Sequence, residues 1–202
     1  MNGPGTTPTE RELIVTGIGG QGVQLAASAL AHGAMAEGRA VQLFGSYGGM
    51  MRGGDTTATL VVAAESVTAP PTVGSTWSAI LMHHDHAPAT IARLRADSVA
   101  FVNASVWQGP LDRDLCRVVD VPATDIATDL GSPLVASMVM IGAYVATTGL
   151  VGLDALTGAA HETLPAYRAH LADGNEAAIR EGYDHMTGSS GLVAWPTAET
   201  AP

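Results

Sequence analysis

Gly17, Gly19 and Gly22 stand in the spacing G-x-G-x-x-G, behind an apolar run at residues 13–15 and ahead of a helical pattern that opens at Val23. Strand, glycine turn and helix together are the context in which this spacing carries chemistry. Glycines let backbone N–H groups come close to an anion, and the helix N-terminus adds partial positive charge. Three uses are open. The turn can hold a dinucleotide, touch an anion or cofactor completed by another chain, or serve only close helix–sheet packing. A dinucleotide site wants an acid at the end of the second strand. That place holds Gly45 or Ser46, and Glu37 falls in the last turn of the helix.

A second glycine-rich stretch covers residues 45–54, Gly-Ser-Tyr-Gly-Gly-Met-Met-Arg-Gly-Gly. Five glycines in ten residues make a backbone that is costly to order. Arg52 is its only charge, and beside Ser46 and Tyr47 it offers a guanidinium grip for a carboxylate or phosphate. The run His83-His84-Asp85-His86 has metal-ligating side chains. Placed at a strand end, its neighbours alternate faces, so only His84 and His86 could cooperate. It is taken as a polar strand end, with no metal ligands assigned. No G-x-S-x-G elbow is present, and Cys116 has no adjacent histidine, so a hydrolase has no foothold.

The elements that must position these residues follow from pattern. Strands are expected at 12–17, 40–44, 56–62, 78–83, 99–103 and 117–121, and helices at 22–37, 87–95, 154–163 and 175–186. The link from the second strand to the third is too short for a crossover helix, so the sheet must be mixed. Repeated strand–helix alternation predicts a three-layer α/β/α, Rossmann-like domain with a mainly parallel sheet. Both glycine loops leave carboxyl ends of strands, so they should share one rim. Residues 1–10 read as a flexible N-terminus, 11–186 as one α/β domain, and 187–202 as a tail that is disordered or docked on a partner.

Composition narrows the function. The chain has 202 residues, net charge −10, and nine basic residues, all arginine. Without lysine and with this charge, there is no footprint for nucleic acid or an anionic membrane, and no P-loop. One cysteine cannot hold a four-thiolate iron–sulfur cluster. The first ten residues show no leader pattern, so the cytoplasm is the expected compartment. Residues 131–153 carry no charge and are long enough to span a bilayer. Ser132, Pro133, Ser137, Thr147 and Thr148, with no basic flank, argue instead for a helix buried on every side. A domain this small is expected to need a partner subunit to cover it.

The glycine turn at 17–22 followed by Ser46-Tyr-Gly-Gly-Met-Met-Arg-Gly-Gly54 resembles the gamma subunit, or gamma domain, of the 2-oxoacid:ferredoxin oxidoreductases. Further matches run in order: residues 119–124, residues 131–142, and Asn175-Glu-Ala-Ala with Gly182-Tyr183. The likeness extends over about residues 12–186. It implies a complex that decarboxylates a 2-oxoacid on thiamine diphosphate and magnesium, passes electrons through [4Fe-4S] clusters to ferredoxin or a similar acceptor, and usually delivers the acyl group to coenzyme A. Those cofactors would sit on thiamine-binding and pyrimidine-type catalytic subunits and a ferredoxin-like subunit, in a hetero-oligomer. The gamma portion would pack on the catalytic subunits and share in the coenzyme A entrance, with Gly19, Gly20, Gln21, Gly22, Ser46, Tyr47, Arg52, Gly53 and Gly54 as its contacts. Two departures stand out. Gly49 and Met50 replace the Pro-Glu common in that loop, and Ser137 stands where asparagine is common. The competing class is a stand-alone nucleotide- or flavin-binding module.

Overall fold

A computed structural model describes residues 10–47, 53–68, 70, 72–188 and 193–195. Six strands form one sheet: β1 (Glu10–Ile18), β2 (Ala40–Tyr47), β3 (Asp55–Ala63), β4 (Thr76–Leu81), β5 (Leu94–Asn103) and β6 (Arg117–Val121). Their spatial order is β2-β3-β1-β4-β5-β6. β3 runs antiparallel to both β1 and β2, while β1, β4, β5 and β6 are parallel. The hairpin from β2 to β3 is the mixed element the short link required. Central strands buried on both faces read as apolar runs; Leu13, Ile14, Val15, Ile80 and Phe101 are all buried.

The helices are α1 (Val23–Ala36), α2 (Pro88–Ile91), α3 (Ala123–Asp129), α4 (Ala136–Thr148), α5 (Leu153–Glu162) and α6 (Ala172–His185). One face of the sheet carries the main core. There α1 packs on β2 and β3, and α4 lies toward β5 with Tyr144 edge-on to Phe101. The opposite layer is thinner. Ala79, Leu81, Ala100 and Val102 are covered by Ala87, Ile91, Trp107 and Cys116, from α2 and the loop before β6. This is the expected three-layer arrangement with a mixed, mostly parallel sheet.

Three expectations are corrected. The helix expected at 87–95 is the single turn α2, because Leu94 already pairs with Thr76 to start β5. Helix α3, just after Pro122, has no counterpart among the expected elements. The third correction matters most. The uncharged α4 is covered by its own chain, against α6, α3, α1, α5 and β5, and every residue of it except Ala146 is buried. α6 lays a long contact along it, so burial of this helix calls for no partner. Among the described residues no helix is long and apolar enough to cross a membrane.

Part of the terminal segment also docks on the chain itself. Ala194 N–H donates to the Thr148 carbonyl at 2.7 Å, Trp195 Nε1 donates to the Leu150 carbonyl at 3.1 Å, and Arg11 Nε donates to the Ala194 carbonyl at 2.8 Å. Arg39 lies over the Trp195 ring, 4.2 Å from its centroid.

Candidate functional site: the glycine rim

β1 delivers the first glycine turn to the carboxyl edge of the sheet. Gln21 closes that turn on itself. Its amide N–H donates to the Ile18 carbonyl at 3.0 Å, and its side-chain Oε1 accepts the Ile18 N–H at 2.8 Å. Gly22 follows with φ +78° and serves as N-cap of α1, where no side chain caps the helix and no acid stands in its first turn. An L-side chain is strained at that φ. A Cβ there would also lie 2.5 Å from Ser137 Oγ. The N-terminus of α1 therefore presents its dipole without a local counter-charge.

The second glycine stretch meets the first. Gly19 N–H donates to the Gly54 carbonyl at 2.8 Å, and Gly53 N–H reaches the Gly19 carbonyl at 3.5 Å. The two loops share one rim, as their departure from strand ends requires. Gln24 of α1 supports the same corner by donating to the Thr57 carbonyl at 2.9 Å. Ser46 is exposed near the end of β2, opposite Thr57. Tyr47 pairs through its backbone with Thr56. Residues 48–52, Arg52 among them, lie outside the described residues.

Two clefts flank this rim. On the helix side a cavity of about 530 Å³ is lined by Gly20, Gly22, Leu134, Arg168, His170 and Asn175, among others. Leu134 on its wall is 73% exposed. An uncapped helix N-terminus, an arginine and a histidine around an apolar wall suit a ligand with an anionic end and an apolar body. On the other face a smaller cavity of about 290 Å³ is lined by Ser46, Asp55, Thr57, His86 and Arg93. Sequence reasoning did not single out Arg168, His170, Arg93 or Asp55. Arg168, His170 and Arg93 stand far from both glycine stretches along the chain, and only packing brings them near the rim, whereas Asp55 directly follows Gly54.

The profile of the pyruvate ferredoxin/flavodoxin oxidoreductase family matches residues 12–185. The chain belongs to this family, as a gamma-type subunit. It is 29% identical to pyruvate synthase subunit PorC of Methanothermobacter marburgensis over 178 residues, covering 87% of this chain and 97% of that protein. It is 30% identical to 2-oxoglutarate synthase subunit KorC of Methanothermobacter thermautotrophicus, covering 77% and 85%. The pyruvate oxidoreductase subunit PORC of Thermotoga maritima superposes with a TM-score of 0.68 at 25% identity, covering 88% of this chain and 97% of that one. The keto/oxoacid ferredoxin oxidoreductase gamma subunit of Geobacter sulfurreducens shares the fold, with a TM-score of 0.72 at 24% identity, covering 89% and 99%.

Within the gamma-type chain, the run at 83–86 corrects the sequence expectation. Residues 84–86 form a 3₁₀ turn rather than a strand, so neighbouring side chains are not sent to opposite faces. His83 and His84 stack with ring centroids 4.4 Å apart, and His86 turns away to line the smaller cavity.

Proposed function

We propose that this chain is an accessory subunit of a complex that oxidatively decarboxylates a 2-oxoacid, packing on the thiamine-bearing subunits and lending its rim to the acyl acceptor. The observation that carries this is the tie between Gly19 and Gly54, which fuses two glycine loops into one surface beside the free N-terminus of α1. Backbone N–H groups of Gly20 and Gly22 offer donors there, with Gly54 alongside, while those of Gly19 and Gly53 tie the two loops together. Gln21 acts from within, since its side-chain oxygen holds the turn closed. Ser46 and Tyr47 stand at the end of β2, and Arg52 supplies the cation for a phosphate of coenzyme A or an acceptor carboxylate.

The donor set of this chain does not fit an iron–sulfur cluster. Cys116 is its single thiol, it is buried, and burial pushes its pKa up, away from the thiolate a cluster needs. Thiamine diphosphate, magnesium and the clusters are accordingly assigned to partner subunits in a cytoplasmic hetero-oligomer. Support for a docked face comes from Leu130, Leu134 and Leu171, which are 43%, 73% and 43% exposed and line the same cavity; large apolar side chains left this open mark contact surfaces when they cluster.

Purification from native extract, with partners identified by mass spectrometry, tests the assembly. Thiamine-binding and ferredoxin-like chains should copurify. A solitary chain carrying a flavin or nucleotide would overturn the assignment in favour of a stand-alone module. In the assembled enzyme, Arg52→Ala should raise the KM for coenzyme A or the 2-oxoacid. An unchanged KM for every substrate removes Arg52 from the site.

A further inference from the structure

The turn after β4 carries a side-chain group that the oxidoreductase assignment does not use. β4 is the parallel neighbour of β1, and Met82 N–H donates to the Thr16 carbonyl at 2.9 Å, so the turn emerges beside the glycine rim. From β1 the chain crosses through α1 to β2, on the far side of β3. From β4 it crosses through α2 to β5, on the opposite side. The carboxyl ends of β1 and β4 thus flank the point where the connections part, the place where open α/β sheets take ligands.

Three donors converge there. His83 Nδ1 lies 3.6 Å from Asp85 Oδ2, and His84 Nε2 lies 3.4 Å from Asp85 Oδ1. Ligating atoms of all three residues fall within 4.8 Å of one another. Donors bound tetrahedrally at about 2.0–2.1 Å stand about 3.4 Å apart, so both imidazole–carboxylate separations are already metal-sized. The rings are braced as well. His84 stacks on His83 and meets Trp107 edge-on, and the Gly109 backbone passes so close that a Cβ there would lie 2.7 Å from His84 Cβ.

His83 Nδ1 accepts the Asp85 N–H at 3.3 Å, a long hydrogen bond that engages its one lone pair and that a bound cation would replace. His84 Nδ1 is buried with no hydrogen-bond partner among the described residues. The outer hydrogen bond that raises ligand basicity is therefore missing, which predicts reversible binding rather than a permanent structural ion.

We propose that His83, His84 and Asp85 form a site for a divalent cation of the zinc, cobalt or nickel class, with at least one position left open to an oxygen donor. Imidazole with a single carboxylate favours those ions over magnesium or calcium. Three protein ligands leave a vacancy in a tetrahedral shell.

The test uses the full chain prepared without a histidine tag, titrated with zinc against a chromophoric chelator, with cobalt as a spectroscopic probe. One zinc per chain is expected, and cobalt should show the intense visible bands of a tetrahedral site. His83→Ala, His84→Ala and Asp85→Asn should each weaken zinc at least about tenfold. His86→Ala and His170→Ala should leave it unchanged. Asp85 is 63% exposed in its side chain, so Asp85→Asn keeps the test valid even if a histidine variant misfolds. Wild-type protein that takes up no stoichiometric zinc, or binding that survives the His83→Ala/His84→Ala double substitution, overturns the proposal. The measurement needs no partner subunit, so it stands apart from the assembly assigned above.

Discussion

Gly142 of α4 and Gly182 of α6 hold the two helices together reciprocally: a Cβ on Gly142 would strike the Ile179 carbonyl, and one on Gly182 would strike the Val139 carbonyl. The obstacle in each case is backbone, which cannot rotate away. Alanine normally improves a helix interior by up to about 1 kcal/mol over glycine. Overpacking a close crossing costs about 1–3 kcal/mol. Gly142→Ala and Gly182→Ala should therefore both lower the urea midpoint. A rise in either would mean that the helices are not in this contact.

Gly22 and Ser137 make a second pair. Gly22→Ala meets both the left-handed φ of +78° and Ser137 Oγ. It should destabilise by about 2 kcal/mol, from the backbone cost of that conformation plus the close contact. Ser137→Ala alone is expected to be neutral or stabilising, because its buried hydroxyl has no partner among the described residues. The double variant should recover the contact share and not the backbone share. A double-mutant cycle from denaturant melts reads the coupling directly.

The docked segment around Trp195 is predicted to contribute to stability. Trp195→Ala removes the bond to the Leu150 carbonyl and the ring under Arg39. A loss of roughly 1–2 kcal/mol is expected, part from apolar burial and part from the cation–π contact. Truncation after Gly188 should cost at least as much, since Arg11 and Thr148 lose Ala194 too. Equal thermal midpoints for the full and truncated chains would rule this out.

Arg113 and Asp120 form a bidentate pair, with N–O distances of 2.7 and 2.9 Å. The hydrogen bonds from Arg113 hold the Asp120 carboxyl below its ordinary value of 3.8. A depressed carboxylate pKa adds stability that is present above the unfolded value and lost as pH falls through the folded one. The pair is exposed, so that stability is small. The sharper readout is an NMR titration of Asp120: Arg113→Gln should move its midpoint upward, toward 3.8. An unmoved midpoint would dissolve the pair.

Much of this molecule is legible in the chain because its signals are local. The apolar run at 13–15, the glycine turn and the apolar period from Val23 onward specify β1, the turn and α1, since each rests on neighbours within a few residues. The short link between β2 and β3 forces the hairpin by reach alone. The run at 83–86 misled for the converse reason. Strand alternation assumes that β4 continues, yet the chain turns after Leu81, where Met82 hydrogen-bonds to Thr16 and Gly109 passes against His84. Neither contact leaves a trace near His83 in the sequence.

The sequence by itself determined the layered α/β class, the place of the glycine loops at strand ends, and the family resemblance, all consequences of residue spacing. Only the tertiary structure decided what covers α4, which arginines and histidines reach the rim, and which of the adjacent histidines share a carboxylate. Those are meetings between segments up to about 150 residues apart in the chain. They depend on the sheet order and on how closely helices such as α4 and α6 approach, quantities that no local pattern encodes.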